Sequence, residues 1–501
     1  MVVSKDIFDK ERLPPALTEN LYATNPWWEG KPGPQLPAYK RWAFHTAQKK
    51  LRQGLAPVIV LRGPRQVGKT TLQLQLIEQL LAQGVAPGRI LRVQFDELPS
   101  LKGLPEPILS IARWFENRIL QRTFNEAARA EGPTYLFFDE VRNLADWAPQ
   151  VKALVDHNTL RVMVTGSSAL RIESGRDSLA GRITEVELGT LFLREIAGLR
   201  FQENVPPQLP ENGLEPLLRS EFWKELQAHG LRHQAVRDRA FVAFSERGGY
   251  PLAQARADVP WPEVADQLNE TVIQRAIQHD LRVGARGVKR DPQLLEEVFR
   301  LACRYAGQSP GQAVFVSEIQ QALRANIGWQ RILAYLRFLD GAMLVRLIAP
   351  LELRLKRRKG AYRLCLCDHG LRASWLQEII PLEAQALLQS PHLHDLAGHI
   401  AESVAGYFLA SIPHLDIAHF PEHGSEPEVD YVLTIGEKRI PVEIKYRHRI
   451  DDFRDTVGLR AFLEKTVYNA PFGLLVTLGD SWQVQDPRIV AVSLPSLLLL
   501  R

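Results

Sequence analysis

Cysteine is scarce in this 501-residue chain, which contains only Cys303, Cys365 and Cys367. So few thiols cannot form the disulfide framework of a secreted protein, and they fit a reducing compartment. Cys365 and Cys367 share one face of a predicted strand, and a zinc site would need four ligands. We therefore interpret the cysteines as buried apolar thiols rather than as metal ligands.

Long apolar runs are also missing, so no stretch of the sequence can span a bilayer. The amino-terminal residues lack the charged, apolar and small-residue order of a secretion signal. We therefore expect a cytoplasmic protein with no membrane partner. The length predicts about three domains. The net charge of +5 is small, so it permits an anionic partner without identifying one.

A glycine-rich loop follows the first predicted buried strand, residues 57–61, and precedes a helical pattern. Glycines let such a loop curl so that its N–H groups point at phosphate oxygens, and the helix adds its positive end. Lys69 is expected to reach the β- and γ-phosphates of ATP, and Thr70 to bind Mg²⁺. The predicted nucleotide-binding loop consists of Gly63, Pro64, Arg65, Gln66, Val67, Gly68, Lys69, Thr70 and Thr71.

Two carboxylates, Asp139 and Glu140, end a second predicted buried strand, residues 135–138. Open parallel sheets bind ligands at the carboxyl ends of their strands, so these side chains are expected beside the loop. Asp139 would hold Mg²⁺ through water, and Glu140 would be the general base for the attacking water.

A third predicted strand, residues 161–164, is followed by Thr165 and Ser167, whose hydroxyls would sense the γ-phosphate. Several arginines come next, and one of them could complete the site of a neighbouring subunit as an arginine finger. Ordinary surface arginines are the alternative. The candidates are Arg171, Arg176 and Arg182.

Several segments resemble the AAA-type ATPases of archaea and bacteria that carry an appended domain. They are NPWW at 25–28, GPRQVGKTT at 63–71, FDEV at 138–141 with Trp147, TGSSA at 165–169 with LAGR at 179–182, and GGYP at 248–251. The resemblance implies an AAA-like parallel sheet with sensor residues around Thr165 and Ser167, and it favours Arg182 as the finger. We expect ATP and Mg²⁺ as cofactors and a homo-oligomer, for which a hexameric ring is one form. Arg142 departs from the family pattern, where glutamine is expected.

The middle of the chain predicts a helical connector followed by a winged helix. Residues 317–320 (SEIQ) form a capping-box pattern that would open one helix, and Gly328 precedes another. Strand-like runs at 344–348 and 362–367 would then form a hairpin. Two helices followed by a hairpin are typical of a winged helix.

Basic residues crowd the tip of that predicted hairpin, and they suit a phosphate backbone such as that of DNA. A solvated loop that only packs domains together is the alternative. The predicted DNA-binding residues are Arg354, Lys356, Arg357, Arg358, Lys359 and Arg363.

Near the carboxyl end, residues 427–445 predict a second hairpin that turns at Gly436. With a two-residue turn there, Asp430 lies directly opposite Glu443, and the two carboxylates could begin a Mg²⁺ site. Lys445 falls on the same face as Glu443 because side chains alternate along a strand. Glu402, on a helix upstream, could supply a third carboxylate.

This set resembles the PD-(D/E)XK nuclease superfamily, which includes archaeal Holliday-junction resolvases. Val429 stands where the motif has proline. An exposed charged hairpin is the alternative.

We therefore predict an α/β chain in which an AAA-like P-loop sheet is followed by a helical lid, a winged helix and an α/β nuclease-like domain. The predicted function is an ATP-hydrolysing, DNA-processing enzyme. The alternatives are a branch-migration or remodelling motor at Holliday junctions or other branched DNA, with a non-cleaving nuclease fold, and a nucleotide-state switch that binds a protein partner. The predicted boundaries are 1–45 for an extension, 46–201 for the ATPase, 202–293 for the lid, 294–372 for the winged helix and 373–501 for the nuclease-like domain.

Overall fold

The computed structural model describes residues 13–95, 101, 104–144, 146–166, 179–210, 213–277, 291–353, 356–357, 360–482 and 484–501. The chain divides into two compact units. The first is Met1–Pro64 with Gly68–Leu188, and the second is Arg65–Val67 with Gly189–Arg501. Across the described ranges, no helix combines the length and the apolar character needed to cross a membrane.

The first unit is built on a five-stranded, fully parallel sheet, which confirms the predicted α/β architecture. Its strands lie in the order β2-β3-β4-β1-β5, so β4 separates the strand before the glycine-rich loop from the strand that carries the acidic pair. Their bounds are β1 (Val58–Arg62), β2 (Ile90–Gln94), β3 (Thr134–Asp139), β4 (Leu160–Gly166) and β5 (Ile183–Glu187).

Helices connect these strands, as parallel pairing requires. Leu17 and Leu21, from the segment predicted as an extension, are fully buried in the core that also contains Val58 and Leu136. Packing therefore makes that segment part of the first unit. The helices are α1 (Pro15–Thr24), α2 (Trp42–Gln53), α3 (Lys69–Ala82), α4 (Pro107–Phe115), α5 (Phe124–Glu131) and α6 (Trp147–His157).

The NPWW segment closes the edge of this sheet. Asn25, which is fully buried, donates from Nδ2 to the Arg92 carbonyl at 2.8 Å and accepts from the Arg92 N–H at 2.7 Å. The indoles of Trp27 and Trp28 both donate to the Ile90 carbonyl. Side chains thus take the hydrogen bonds that a further strand would make with β2, and an exposed edge would otherwise invite strand pairing.

Helices follow Gly189 in the second unit, and the first of them lies before residue 202, where the lid was predicted to begin. Their bounds are α7 (Leu193–Phe201), α8 (Ser220–Arg232), α9 (Gln234–Arg247), α10 (Pro251–Ala255) and α11 (Trp261–Leu268).

Three helices and an antiparallel strand pair come next. The helices are α12 (Pro292–Arg304), α13 (Gln312–Leu323) and α14 (Trp329–Gly341), and the paired strands are β6 (Val345–Ile348) and β9 (Arg363–Leu366). A short hairpin of β7 (Glu352–Leu353) and β8 (Lys356–Arg357) lies between them.

The predicted capping box in this region is wrong. Gly311 is the N-cap of α13, and Ser317 lies in the second turn of the helix rather than at its start. The Gln320 side chain, which would complete the box, donates to the Ile327 carbonyl at 3.1 Å. Gly328 does precede α14, as predicted.

A mixed five-stranded sheet ends the chain, in the order β10-β11-β12-β13-β14. Its first three strands are antiparallel, and the last two pairings are parallel. The strands are β10 (Asp416–Phe420), β11 (Val429–Ile435), β12 (Lys438–Lys445), β13 (Gly473–Thr477) and β14 (Ile489–Ser493). The helices around it are α15 (His369–Leu376), α16 (Ala384–Gln389), α17 (His394–Ala410), α18 (Val457–Glu464) and α19 (Leu494–Leu497).

Candidate nucleotide site and acidic cluster

The glycine-rich loop joins β1 to α3, as its sequence predicts. Gly68 is the N-cap of α3 with φ +92°, a left-handed conformation that favours glycine. The Lys69 ammonium lies inside the loop, 3.0 Å from the Gly63 carbonyl and 2.7 Å from the Pro64 carbonyl. Lys69 is thereby held at the place where phosphate oxygens would meet the helix N-terminus.

Asp139, at the end of β3, is the centre of a buried polar network. Its Oδ2 accepts from the Thr70 hydroxyl at 2.9 Å and from Arg92 Nη2 at 3.0 Å, and its Oδ1 accepts from the Thr165 hydroxyl at 2.5 Å. Asp139 itself is 2% exposed. Three parallel strands and the first turn of α3 therefore bring together residues that are far apart in the sequence.

Glu140 follows Asp139 with φ +50°, which is uncommon for a residue other than glycine. Its N–H donates to the Thr165 hydroxyl at 2.9 Å, so one hydroxyl bridges Asp139 and the backbone of Glu140. Thr165 is placed there because β4 pairs with both β1 and β3. Strained backbone of this kind is frequent at functional sites, and here it turns Glu140 away from the line of β3.

No local sequence pattern pointed to Arg92. It lies on β2, which β3 and β4 separate from the loop strand β1, and its guanidinium makes a buried ion pair with Asp139. Alternation along β2 and its register with β3 could have placed Arg92 near Asp139 once the strand order was known.

Arg182 immediately precedes β5, and its carbonyl accepts from the Val58 N–H at the start of β1. The glycine-rich loop follows the other end of β1, about 15 Å away at the usual rise per residue. Arg182 makes an ion pair with Asp156 of α6. Its place at the opposite edge of the sheet excludes contact with its own loop. Arg171, Arg176 and Ser167 lie outside the described residues.

The basic hairpin tip falls largely outside the described part of the chain. Arg354, Arg358 and Lys359 are not described, and only the backbone strand of Lys356 and Arg357 is. For Arg363, the prediction of an exposed DNA contact is wrong. Arg363 opens β9, is 3% exposed and makes ion pairs with three carboxylates.

The second hairpin has the predicted register. Ile435 pairs with Lys438 and Tyr431 with Val442, which places Asp430 opposite Glu443. The turn residue Gly436 has φ +59°. Lys445 Nζ lies 2.5 Å from Glu443 Oε1, as alternation along β12 predicts.

Arg363 links this hairpin to α17. Its Nη1 lies 2.7 Å from Asp430 Oδ1 and 3.4 Å from Glu402 Oε2, and its Nη2 pairs with Glu428. The other oxygen of Asp430 accepts from the Ile444 N–H at 2.8 Å. We call Glu402, Glu428, Asp430 and Glu443, with Arg363 and Lys445, the acidic cluster.

Burial and mutual repulsion dominate the electrostatics of the acidic cluster. Burial, followed by the charge of Asp430, raises the pKa of Glu443 to about 8 and also raises the pKa of Glu402. Burial alone would lower the pKa of Arg363, but the charges of Asp430 and its neighbours raise it well above its usual value. Arg363 is therefore permanently charged.

The acidic cluster as placed does not fit a divalent metal. Asp430 and Glu443 are buried, with 7% and 8% of their surfaces exposed, so solvent barely reaches these two side chains. Among the described residues, no group of three or more His, Cys, Asp or Glu side chains is arranged to hold a metal ion. The predicted carboxylates do converge, but a guanidinium lies among them.

The GGYP segment lies within the second unit, next to the start of α15. Asp368 is buried and accepts from the N–H groups of Gly249 and Gly370. His369 donates from Nε2 to the Ser245 carbonyl at 3.2 Å. Burial raises the pKa of Asp368 to about 7 and lowers that of His369 to about 4.

Comparison with known families gives two matches. Residues 56–197 match a family described as an AAA domain, and residues 239–380 match a domain of unknown function, DUF8612. The first match agrees with the parallel sheet and glycine-rich loop, and the first unit therefore contains an AAA-type P-loop domain. The second match spans the region from α9 to α15 and assigns no activity.

Three individual proteins also match this chain, each with 24% sequence identity or less. An uncharacterized protein of Haemophilus influenzae is 24% identical over 326 residues, which are 62% of this chain and 68% of that protein. The Walker-type ATPase PABY2304 of Pyrococcus abyssi matches with 15% identity and a TM-score of 0.39, covering 69% of this chain and 99% of that one. The Aeropyrum pernix ORC1 protein in complex with DNA matches with 11% identity and a TM-score of 0.27, covering 67% and 91%.

Proposed function

We propose that this protein is an ATPase that engages DNA and uses ATP hydrolysis to act on it. The observation that carries the ATPase proposal is the convergence of Thr70, Asp139 and Thr165 beside the loop that holds Lys69. Lys69 pairs with the β- and γ-phosphates, and Glu140 accepts a proton from the attacking water.

The hydroxyl of Thr70 and the carboxylate of Asp139 form an oxygen donor pair 2.9 Å apart, which fits Mg²⁺ chemistry. Mg²⁺, when bound with ATP, offsets charge on the phosphates. Arg92 orients Asp139 through its guanidinium, and Thr165 joins Asp139 to the Glu140 backbone. These two residues thus position the groups that face the nucleotide.

The basic residues between Leu351 and Arg363 support DNA as the partner. All but one of the charged residues there are positive, and two of them, Lys356 and Arg357, form β8 of the short β7–β8 hairpin. Arg363 is now excluded from that contact. The remaining five residues suit a phosphate backbone.

Placement of the acidic cluster favours a remodelling motor over a cutting enzyme. Arg363 takes up the carboxylates that a metal-dependent nuclease would need for its cation. We therefore derive no cleavage step, and the second unit instead serves as a DNA-gripping module. Branched DNA, including the Holliday junction, is the substrate class that the resemblance to resolvases suggests.

The test is ATP turnover with no DNA and with duplex, single-stranded and four-way DNA, for wild type and Lys69→Ala. We expect DNA to stimulate the wild type and Lys69→Ala to be inactive. Neutralising Lys356 and Arg357 should weaken DNA binding and flatten its dependence on salt, because fewer counterions are released. Slow turnover that ignores every DNA would overturn the motor proposal and favour a nucleotide-state switch that binds a protein partner.

A further inference from the structure

Arg363 occupies the centre of the acidic cluster rather than its rim. Its three carboxylate partners come from different places: Glu402 lies on α17, Asp430 lies on β11, and Glu428 immediately precedes β11. A guanidinium offers several N–H donors to carboxylate oxygens that would otherwise coordinate a cation. Removing one partner of such a buried ion pair leaves uncompensated charge.

One acceptor in the acidic cluster is left unsatisfied. Glu443 Oε1 takes the Lys445 ammonium, but Glu443 Oε2 is buried and has no hydrogen-bond partner. Buried carboxylate oxygens normally have a partner, so this one is a vacant acceptor beside Asp430.

The fold holds Arg363 in this place. Leu364, next to it on β9, exchanges backbone hydrogen bonds with Gly307 and Gln308, and the Leu366 N–H donates to the Ser403 hydroxyl on α17 at 2.9 Å. The guanidinium also lies over the Tyr431 ring, 5.3 Å from its centroid. Strand pairing thus presents the arginine to the carboxylates.

The basic hairpin lies just before β9 in the chain. Only a few residues separate Arg357 of β8 from Arg363, and Ala361 between them accepts from His419 Nε2 at 2.8 Å. His419 on β10 also exchanges backbone hydrogen bonds with Ala349 and Leu351. The base of the hairpin is therefore attached directly to the sheet that carries Asp430.

We propose that Arg363 is a resident cation that excludes divalent metal from Glu402, Asp430 and Glu443, and that these carboxylates bind one metal ion once Arg363 is removed. The inference refines the proposed function, because it states that Arg363 keeps divalent metal out of the acidic cluster of the second unit. It does not depend on ATP hydrolysis.

The test is Mn²⁺ binding to nucleotide-free, full-length protein, measured by calorimetry and by Mn²⁺ electron paramagnetic resonance. We expect Arg363→Gln to bind one more Mn²⁺ per chain than wild type, at least tenfold more tightly than any wild-type site. The added ion should be lost in Arg363→Gln combined with Asp430→Asn. Arg372→Gln is the matched control, because Arg372 is another buried arginine of this unit and pairs with Glu378 at 2.6 Å. It should gain no Mn²⁺.

Equal Mn²⁺ binding by wild type and Arg363→Gln would overturn the inference, as would an added ion that survives Asp430→Asn. If Arg363→Gln does not fold alone, Mn²⁺ during refolding should restore its melting transition, and the Asp430→Asn double variant should stay unfolded. Failure of that rescue would also overturn the inference. Turnover assays on wild type separate the two proposals, because a protein without DNA-stimulated turnover could still show the Mn²⁺ result.

Discussion

Arg92 and Asp139 form a buried ion pair across two adjacent parallel strands, with Nη2 3.0 Å from Oδ2. The same Asp139 oxygen accepts from Thr70, so Arg92 orients the carboxylate of a proposed Mg²⁺ ligand. Mutation of a residue that hydrogen-bonds to a metal ligand commonly lowers metal affinity or activity by about 10–100-fold.

Arg92→Gln should therefore lower Mg²⁺-dependent ATP turnover by about 10–100-fold and raise the Mg²⁺ concentration needed for half-maximal rate. The measurement is turnover against Mg²⁺ at saturating ATP. Arg122→Gln is the control, since Arg122 pairs with the more exposed Glu131, and its Mg²⁺ curve should match wild type. An unchanged Mg²⁺ curve for Arg92→Gln would remove Arg92 from the site.

Glu140→Gln should bind ATP normally and turn it over about 10²–10⁴-fold more slowly, because only the general base is lost. Lys69→Ala should instead lose binding, because it removes the cation that pairs with the phosphates. Equilibrium binding of a fluorescent ATP analogue, beside single-turnover hydrolysis, distinguishes the two variants. Turnover by Glu140→Gln at the wild-type rate would end its assignment as the base.

Arg182→Ala should lower turnover by an order of 10³ without dispersing the oligomer, as expected of a finger that acts on a neighbouring subunit. Asp156→Asn is the matched control: it breaks the same ion pair but keeps the arginine, and it should remain active. Mixing Arg182→Ala with Lys69→Ala subunits should restore part of the activity, because some interfaces then pair an intact loop with an intact finger. No recovery on mixing would argue against action between subunits.

Asp368 and His369 should give opposite pH dependences of stability. The Asp368 pKa of about 7 is raised from 3.8, so its contribution to the free energy of unfolding falls as pH rises from about 4 to 7. The His369 pKa of about 4 is lowered from 6.5, so its contribution rises with pH between about 4 and 6.5. In the wild type the two slopes nearly cancel over that range.

The test is denaturant unfolding of the second unit at a series of pH values. Relative to wild type, Asp368→Asn should gain stability from pH 4.5 to 6.5 by about 1.4 kcal/mol per pH unit, and His369→Gln should lose stability by about the same slope. Parallel pH profiles for both variants and wild type would contradict the assignment of the two shifts.

Asn25→Ala should destabilise the first unit by about 2–4 kcal/mol, because the buried N–H and carbonyl of Arg92 lose their hydrogen bonds to the Asn25 side chain. Asn125→Ala is the matched control. Asn125 also makes two backbone hydrogen bonds, to His157 and Thr159, but it is exposed and water can replace them. Hydrogen exchange at the β2 amides should accelerate in Asn25→Ala alone, and equal exchange in both variants would contradict the edge-closing role.

Local patterns predicted the parts of this fold that depend on neighbours in the sequence. The buried strands, the loop before α3 and the register around Gly436 follow from alternation, glycine placement and turn length. Predictions failed where contacts between segments far apart in the sequence determine the surroundings of a residue. Arg363 sits in a run of basic residues, yet three carboxylates from elsewhere in the second unit fix its surroundings.

Strand order is another property that local sequence patterns do not predict. Arg92 reaches Asp139 only because β2 lies beside β3, which no local pattern states. The SEIQ pattern did not mark a helix start because α13 already begins at Gln312, five residues before Ser317. The helix buries Phe315 as well as Ile319. Tertiary packing overrode local capping preference there.

The contact between Asn25 and β2 has a practical consequence for dividing the chain into fragments. A fragment that starts at residue 46 would contain the glycine-rich loop, Asp139 and Glu140, but it would leave Arg92 without its backbone partner and expose the apolar positions that Leu17 and Leu21 cover. Such a fragment should aggregate or hydrolyse ATP poorly although its catalytic residues are intact. Inactivity of that fragment would report a missing edge of the sheet, not a missing catalytic group.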